Sequence, residues 1–293
     1  MVDRSPSRRI FRGVNTAFFI GYALLCLVPM IYVLAMSLSS ATAVNAGKVF
    51  LWPVDFSWKS YTYTMQRAAF WSGLRISLVR VAIGVSVNML MTILAAYPLS
   101  KTYQEFRGKK FFVWFFLFTM LFSGGMIPSF MIVKYTGLLN TIWSLILPSA
   151  VPVYNTIILM NFFKSVPKEL EEAAIIDGAG QTRILWRIFL PVSLPAIATL
   201  VVFSMVGHWN AWFDGMIYMT DSKNYPLQTY LQSILVSTNV KLITKAQAEL
   251  LRLVSDRTLK SAQVFIAMIP VLVVYPFLQR YFVAGMTMGS VKE

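Results

Sequence analysis

The chain has 293 residues, of which 57% are apolar and 13% are charged, and its formal net charge is +14. Because a soluble domain carries about 25% charged residues, this composition excludes an ordinary soluble protein and predicts a polytopic membrane protein. One cysteine, Cys26, and one histidine, His208, exclude an intrachain disulfide and leave too few ligands for a usual zinc or iron site. The basic excess suits anionic lipid headgroups or an anionic substrate, and no basic helix or recognition motif predicts nucleic-acid binding.

Six apolar stretches are long enough to cross about 30 Å of hydrocarbon as helices. In chain order they are Thr16–Leu38, Ile76–Leu99, Phe111–Val133, Ile142–Phe163, Pro191–Phe213 and Ala262–Phe282. The sequence therefore predicts an all-α integral membrane protein, with six transmembrane helices in one domain over residues 1–293. Prolines in or beside several stretches favour interrupted helices, which survive in lipid only where protein or a water-lined cavity satisfies the freed backbone groups.

Two basic clusters set the predicted orientation. The first stretch follows one of them, is longer than the apolar core of a signal peptide and has no small-x-small cleavage site after it, so we expect an uncleaved helix. Both clusters favour cytoplasmic termini, although Lys and Arg divide almost evenly between the two sides over the whole chain. The clusters are Arg4, Arg8, Arg9 and Arg12, and Lys101, Arg107, Lys109 and Lys110.

This orientation assigns each long connecting segment to one side of the membrane. Residues 1–15 and 164–190 are then cytoplasmic, and residues 214–261 form an external loop. Apolar residues at helical spacing near 241–257 predict a surface helix in that loop.

The segment at 164–190 predicts a helix–turn–helix elbow along the cytoplasmic surface. Pro167 suits the first turn of a helix, and acidic residues suit its positive N-terminal end. These residues are Glu169, Glu171 and Glu172. Gly178 and Gly180 can end the helix, and Thr182 can cap a second short one.

One face of the first elbow helix is predicted to be thin enough to enter a groove on another protein. It comprises Leu170, Ala173, Ala174 and Asp177. Glu172 and Asp177 can pair with basic groups at the rim of such a groove. Composition alone also allows a solvated amphipathic connector.

The order of residues in this elbow carries more information than their composition. Glu172-Ala173-Ala174, then Gly178, then Ile188-x-Leu190-Pro191 resembles the EAA loop of ATP-binding-cassette (ABC) importer permeases. The resemblance implies that the elbow docks into a separate ATPase subunit and moves as a rigid lever. The coupling residues that it implies are Leu170, Glu172, Ala173, Ala174, Asp177 and Gly178. The chain contains no Gly-x-x-x-x-Gly-Lys-Ser/Thr phosphate loop, so ATP and Mg are expected in the partner and this chain is not expected to be an enzyme.

Further segments resemble a narrower group of permeases. Residues 209–229 and 279–287 resemble the carbohydrate-uptake permeases related to the maltose transporter, which implies the type I importer fold in a bacterial inner membrane. Residues 122–129 and 137–143 resemble the branch that imports complex acidic or plant-derived oligosaccharides, including alginate. The implied partners are a related permease, two ATPase copies and an external solute-binding protein. Acidic uronate sugars of the alginate type are the expected substrate, with neutral or pectin-derived oligosaccharides as the alternative.

The end of the fifth span offers candidate residues for the substrate pathway. They are His208, Trp209, Asn210 and Trp212, whose indole faces suit sugar rings and whose polar groups suit hydroxyls. Tyr154 and Asn155 in the fourth span are candidates of the same kind. Trp212 fits an aromatic belt at the membrane interface equally well. Arg80, inside the second span, can offset substrate carboxylates together with Lys134.

Two other functional classes remain open. An ion-coupled secondary transporter would need acidic groups inside the spans, whereas all twelve acidic residues lie in loops or at span ends. A membrane enzyme would need a catalytic constellation, and the nearest approach to one is His208 with Asp214.

Overall fold

The structure, a computed structural model, describes residues 6–236 and 255–290, and the regular elements in these ranges are all helices. The first seven are α1 (Pro6–Ser37), α2 (Ala41–Asn45), α3 (Lys59–Met65), α4 (Ala68–Ser100), α5 (Lys109–Leu121), α6 (Met126–Tyr135) and α7 (Val153–Lys164). The next seven are α8 (Lys168–Ile176), α9 (Gln181–Ile184), α10 (Leu190–Val192), α11 (Leu194–Asn210), α12 (Phe213–Tyr218), α13 (Leu227–Val236) and α14 (Asp256–Ser290). Three 3₁₀ turns lie at Ile142–Leu145, Leu147–Ser149 and Ser222–Asn224, and a π-helical turn at Leu185–Phe189 joins α9 to α10.

The all-α membrane fold is confirmed. Helices α1, α4 and α14 are each long and apolar enough to cross a membrane. Three bent helix pairs pass the same test, and counting each pair as one span gives six crossings by length and composition. The predicted surface helix near 241–257 lies largely outside the described residues.

The chain divides into two compact units. One comprises residues 1–70 and 231–270, where the end of α1 packs on α2 and the hydroxyls of Ser37 and Tyr61 hydrogen-bond at 2.7 Å. The other comprises residues 71–230 and 271–293. Its core joins α4, α7, the π-helical turn and α11, and it contains the elbow and the candidate pathway residues.

The third predicted span, Phe111–Val133, is wrong as a single helix. Helix α5 ends at Leu121, α6 begins at Met126, and the two differ in direction by 113°. Gly125 lies between them with a φ of 86° and a ψ of 177°, a conformation that only glycine adopts readily. Hydropathy detects an unbroken apolar stretch here, whereas the backbone at Gly125 cannot continue a helix.

The fourth predicted span, Ile142–Phe163, starts as two 3₁₀ turns and bends by 49° into α7. Pro148 and Pro152 remove two backbone donors from this region. Asn88 of α4 satisfies a carbonyl in the break, because its Nδ2 donates to the backbone oxygen of Ser149 at 2.6 Å. A buried amide therefore supports interrupted helix inside the bundle, as lipid requires.

The fifth predicted span, Pro191–Phe213, is not one continuous helix, because it begins at the end of the predicted second elbow helix and then bends. Helix runs from Gln181 to Val192, and α11 follows at an angle of 82°. Pro195 accounts for the bend, since it has no N–H and its ring crowds the carbonyl four residues earlier. The prediction that Thr182 caps the second elbow helix is wrong, because Gly180 occupies the N-cap and no side chain caps this helix.

Candidate coupling elbow and pathway residues

The elbow between α7 and α11 has the local geometry that the sequence predicts. Helix α8 starts directly after Pro167 and ends at Ile176. Gly178 follows with a φ of 76°, and its amide donates to the backbone oxygen of Ile175 at 2.9 Å. A left-handed residue ends a helix at low cost when it is glycine. The helix–turn–helix elbow is therefore confirmed as local structure.

The outward face of α8 and the turn that follows it contain most of the residues assigned to coupling. Leu170, Glu172, Ala173, Asp177 and Gly178 are all exposed. Ala174 does not share this face, because it is half-buried against the core of its own unit. Ile176, which sequence analysis missed, is 85% exposed and lies three residues after Ala173. Helical spacing could have identified it.

The inward side of the elbow contacts the end of α4 and the residue after it through pairings that sequence analysis did not predict. Lys101 forms an ion pair with Glu171 of α8, and the two side chains are only 8% and 14% exposed. The ammonium of Lys101 lies 4.3 Å from the ring centroid of Tyr97 and 4.5 Å from that of Phe189. The hydroxyl of Tyr97 donates to Gln181 Oε1 at 2.6 Å. Because Lys101 and Glu171 are 70 residues apart, no local pattern joins them.

A cavity of about 470 Å³ adjoins the elbow. It is lined by Leu94, Tyr97, Pro98, Lys101, Glu105, Phe106, Gln181, Thr182, Leu185 and Trp186, none of which is a predicted pathway residue.

The carboxylate of Glu105 accepts hydrogen bonds from the backbone N–H of Thr102 at 2.6 Å and from its hydroxyl at 2.7 Å. These two bonds lower the pKa of Glu105.

Arg80 has its charge offset within the chain. Its side chain is 2% exposed and forms an ion pair with Asp214, with Nη1 3.1 Å from Asp214 Oδ1. The guanidinium also donates to the backbone oxygens of Ala211 at 3.3 Å and Leu145 at 3.4 Å. The expectation that Arg80 meets substrate carboxylates does not fit this burial. Arg80 instead joins α4 to the segment after α11 and to the 3₁₀ turn before α7.

His208 and Asn155 are buried in contacts between helices. A ring nitrogen of His208 hydrogen-bonds the amide oxygen of Asn88, whose nitrogen supports the break before α7. Gly84 leaves room for the ring, because a Cβ at that position would lie 2.5 Å from His208 Nε2. Asn155 Nδ2 donates to Ser204 Oγ at 3.2 Å. A buried amide or imidazole needs such partners in hydrocarbon, so these contacts explain both residues without a substrate.

The other predicted pathway residues divide by exposure. Trp209 is buried, whereas Tyr154, Asn210 and Trp212 are exposed on the second unit. The exposed three are available to a substrate, a partner chain or lipid, and their role in transport stays a prediction.

Comparison with known proteins agrees with the elbow and the fold. Residues 106–288 match the family described as the inner membrane component of binding-protein-dependent transport systems. The Bacillus subtilis polygalacturonan/rhamnogalacturonan transport system permease protein YtcP is 39% identical over 289 residues, which cover 97% of this chain and 99% of YtcP. The B. subtilis protein LplC is 37% identical over 291 residues, which cover 99% of this chain and 98% of LplC.

Two solved structures have a similar fold. A chain of a bacterial ABC transporter involved in the import of the acidic polysaccharide alginate superposes with a TM-score of 0.86 and is 34% identical, over 96% of this chain and 100% of that one. A chain of the bacterial alginate ABC transporter in complex with its alginate pentasaccharide-bound periplasmic protein has a TM-score of 0.57 at 16% identity, over 94% of this chain and 96% of that one. The second likeness concerns the fold alone.

Proposed function

This chain belongs to the family of inner membrane components of binding-protein-dependent transport systems, and we propose that it imports uronate oligosaccharides as one half of a permease pair. It is a sugar permease of the ABC importer class. The second permease, the ATPase copies and the identity of the sugar are parts of the proposal.

The exposed elbow is the observation that supports coupling to an ATPase most directly. Ile176 and Ala173 lie on the outward face of α8, with Glu172 beside them, and Ile176 is 85% exposed. Leu170, Ile175 and Ile176 are all exposed on this short helix, and such an apolar patch outside the spans suits a surface that another protein covers. The alanine keeps this face thin, and the carboxylate can pair with basic groups around the groove that receives it. The groove belongs to an ATPase subunit, which binds the ATP and Mg.

The substrate class rests on chemistry that two relatives share. YtcP is described as transporting polygalacturonan and rhamnogalacturonan, and the solved relative at 34% identity as belonging to an alginate importer. These polymers differ in their sugars, but each carries uronate carboxylates. The common requirement is a pathway that tolerates repeated negative charge, which the net charge of +14 suits.

Two exposed cations are better placed than Arg80 to meet those carboxylates. Arg75 is exposed and lines a cavity of about 380 Å³ that Asn140 and Asn224 also line. Lys134 is exposed in the last turn of α6. In the proposed orientation, with both termini cytoplasmic, these residues lie toward the external side, where a solute-binding protein delivers the sugar.

Uptake by proteoliposomes tests this function. The complete complex of both permeases, the ATPase and the binding protein is supplied with uronate oligosaccharides or with a neutral oligosaccharide of equal length. We expect uptake of the uronate sugars only with ATP on the side of the elbow, and uptake of the neutral sugar at least about tenfold slower. Arg75→Gln should slow uronate uptake by several-fold because it removes an attraction for carboxylates.

Two outcomes would contradict the proposal in different ways. Equal uptake of both sugars would remove the uronate assignment and leave the permease. Uptake by this chain alone, driven by an ion gradient without ATP, would replace the ABC mechanism with that of a secondary transporter.

A further inference from the structure

We propose that the cytoplasmic end of α4 is clamped to both arms of the elbow, and that this clamp transmits movement of the ATPase into the membrane. The inference rests on the proposed function, because it assumes that an ATPase moves the elbow. The clamp consists of two contacts, Lys101 with Glu171 and Tyr97 with Gln181. Its members are positioning residues that act through the helices they join.

The first contact holds α8. Lys101 and Glu171 are nearly buried, and the ammonium also lies over the rings of Tyr97 and Phe189 at 4.3 and 4.5 Å. An ion pair shielded from water resists opening, because either charge left alone would be poorly solvated. Cation–π contacts with two rings restrict the ammonium further. This contact is therefore stiffer than an ordinary surface ion pair.

The second contact holds the other arm. Gln181 is the first residue of α9 and accepts a hydrogen bond of 2.6 Å from the hydroxyl of Tyr97. Lys101 follows Ser100, the last residue of α4, and its ammonium lies 4.3 Å from the ring centroid of Tyr97, so the two side chains lie on the same side of this helix end. One short surface at the end of α4 thus contacts a residue before and a residue after the turn at Gly178.

Two contacts on opposite sides of a turn prevent the turn from acting as a hinge. With α8 held only at its ends, force on its outward face would be absorbed by bending at Gly178. With both arms fixed to α4, the same force moves α4. Helix α4 has 33 residues, a length of about 50 Å, and farther from the clamp it pairs Asn88 with His208 and Arg80 with Asp214. The clamp thereby connects the elbow to the buried groups at the end of α11.

Weakening the clamp tests the inference in the complete complex. Lys101→Met combined with Tyr97→Phe removes both contacts and retains the bulk of both side chains. We expect the sugar transported per ATP hydrolysed to fall by about tenfold, with ATPase attachment and basal hydrolysis within about twofold of the unmodified complex. Lys101→Arg retains the charge and should restore most of the ratio. Lys260→Met, which removes the more exposed ion pair with Asp256, is the matched control and should leave the ratio unchanged.

Locking the clamp is the second arm of the test, and it does not depend on whether the weakened variant assembles. Lys101→Cys and Glu171→Cys, in a Cys26→Ala background, are joined by a short thiol cross-linker. If the contact stays closed throughout the cycle, the unjoined cysteine pair should transport poorly, and joining should restore transport to within about twofold of the unmodified complex. No recovery of transport on joining, or an unchanged ratio in the weakened variant, would overturn the clamp. Failure of the unmodified complex to bind an ATPase would instead refute the proposed function.

Discussion

The ion pair between Arg80 and Asp214 is asymmetric, and the asymmetry gives a prediction about stability. Arg80 is 2% exposed and Asp214 is 27% exposed, so water can reach the carboxylate but not the guanidinium. Asp214→Asn leaves a buried cation with two carbonyl contacts longer than 3.2 Å, whereas Arg80→Met leaves a carboxylate that water can solvate. The asparagine variant should therefore be the less stable of the two.

The size of the effect follows from the exposure of each partner. Removing one partner of a fully buried pair costs about 3–5 kcal/mol, and the partial exposure of Asp214 reduces this to about 2 kcal/mol for Asp214→Asn. In a chain of this length, that corresponds to a fall in Tm of about 4–8 °C. Arg80→Met should cost less, about 1 kcal/mol, mainly through the carbonyls that it leaves without a donor.

Thermal unfolding in detergent at one fixed scan rate measures both effects, because membrane proteins commonly unfold irreversibly. The double variant Arg80→Met with Asp214→Asn should be more stable than the sum of the single losses predicts, since neither charge is then left unpaired. An Asp214→Asn variant at least as stable as Arg80→Met, or strictly additive losses, would refute the reasoning.

Three substitutions test other parts of the structure. Gly178→Ala places a Cβ on a residue with a φ of 76° and should destabilise the elbow by about 1 kcal/mol, measured as a lower Tm. Gly180→Ala is the control and should leave Tm unchanged, because the φ of Gly180 is −73°. Gly84→Ala should cost about 1–3 kcal/mol by crowding His208, and a wild-type Tm would show that the ring can move aside. The pKa of Glu105 is lowered in the folded chain, so its hydrogen bonds stabilise the fold above the ordinary carboxyl pKa and lose that effect as pH falls through the lowered pKa. Glu105→Gln should reduce the fall in Tm that unfolding scans record below about pH 5. If Tm depends on pH in the same way with and without the substitution, the carboxylate of Glu105 does not stabilise the fold.

Local signals predicted the parts of the fold that local chemistry determines. Pro167 and Gly178 set the ends of α8 through the conformations that proline and glycine favour, and the apolar stretches set the spans. The break at Gly125 escaped prediction because hydropathy averages over it. The prediction that Thr182 caps the second elbow helix was wrong, because Gly180 is the N-cap residue and no side chain caps this helix.

Contacts across long stretches of sequence were not predictable. The partner of Arg80 lies 134 residues away. The sequence therefore indicated only an unpaired cation inside a span, and we predicted that it was available to a substrate. The partner of Lys101 lies 70 residues away, and no repeat or motif in the sequence pairs these two residues. Ile176 is the opposite case, because its position on the face of Ala173 follows from helical spacing alone.

Binding of the ATPase to the outward face of the elbow is the most direct test of the central claim. Ala173 is exposed on that face, so Ala173→Trp thickens it without a folding cost, and Ala46→Trp makes the same change at an exposed position in the other unit. The measurement is the affinity of the purified ATPase subunit for the assembled permease pair. The account predicts a loss of at least about tenfold for Ala173→Trp and none for Ala46→Trp, because a filled interface cannot accept an indole. Equal affinity for the two variants would contradict docking through this elbow.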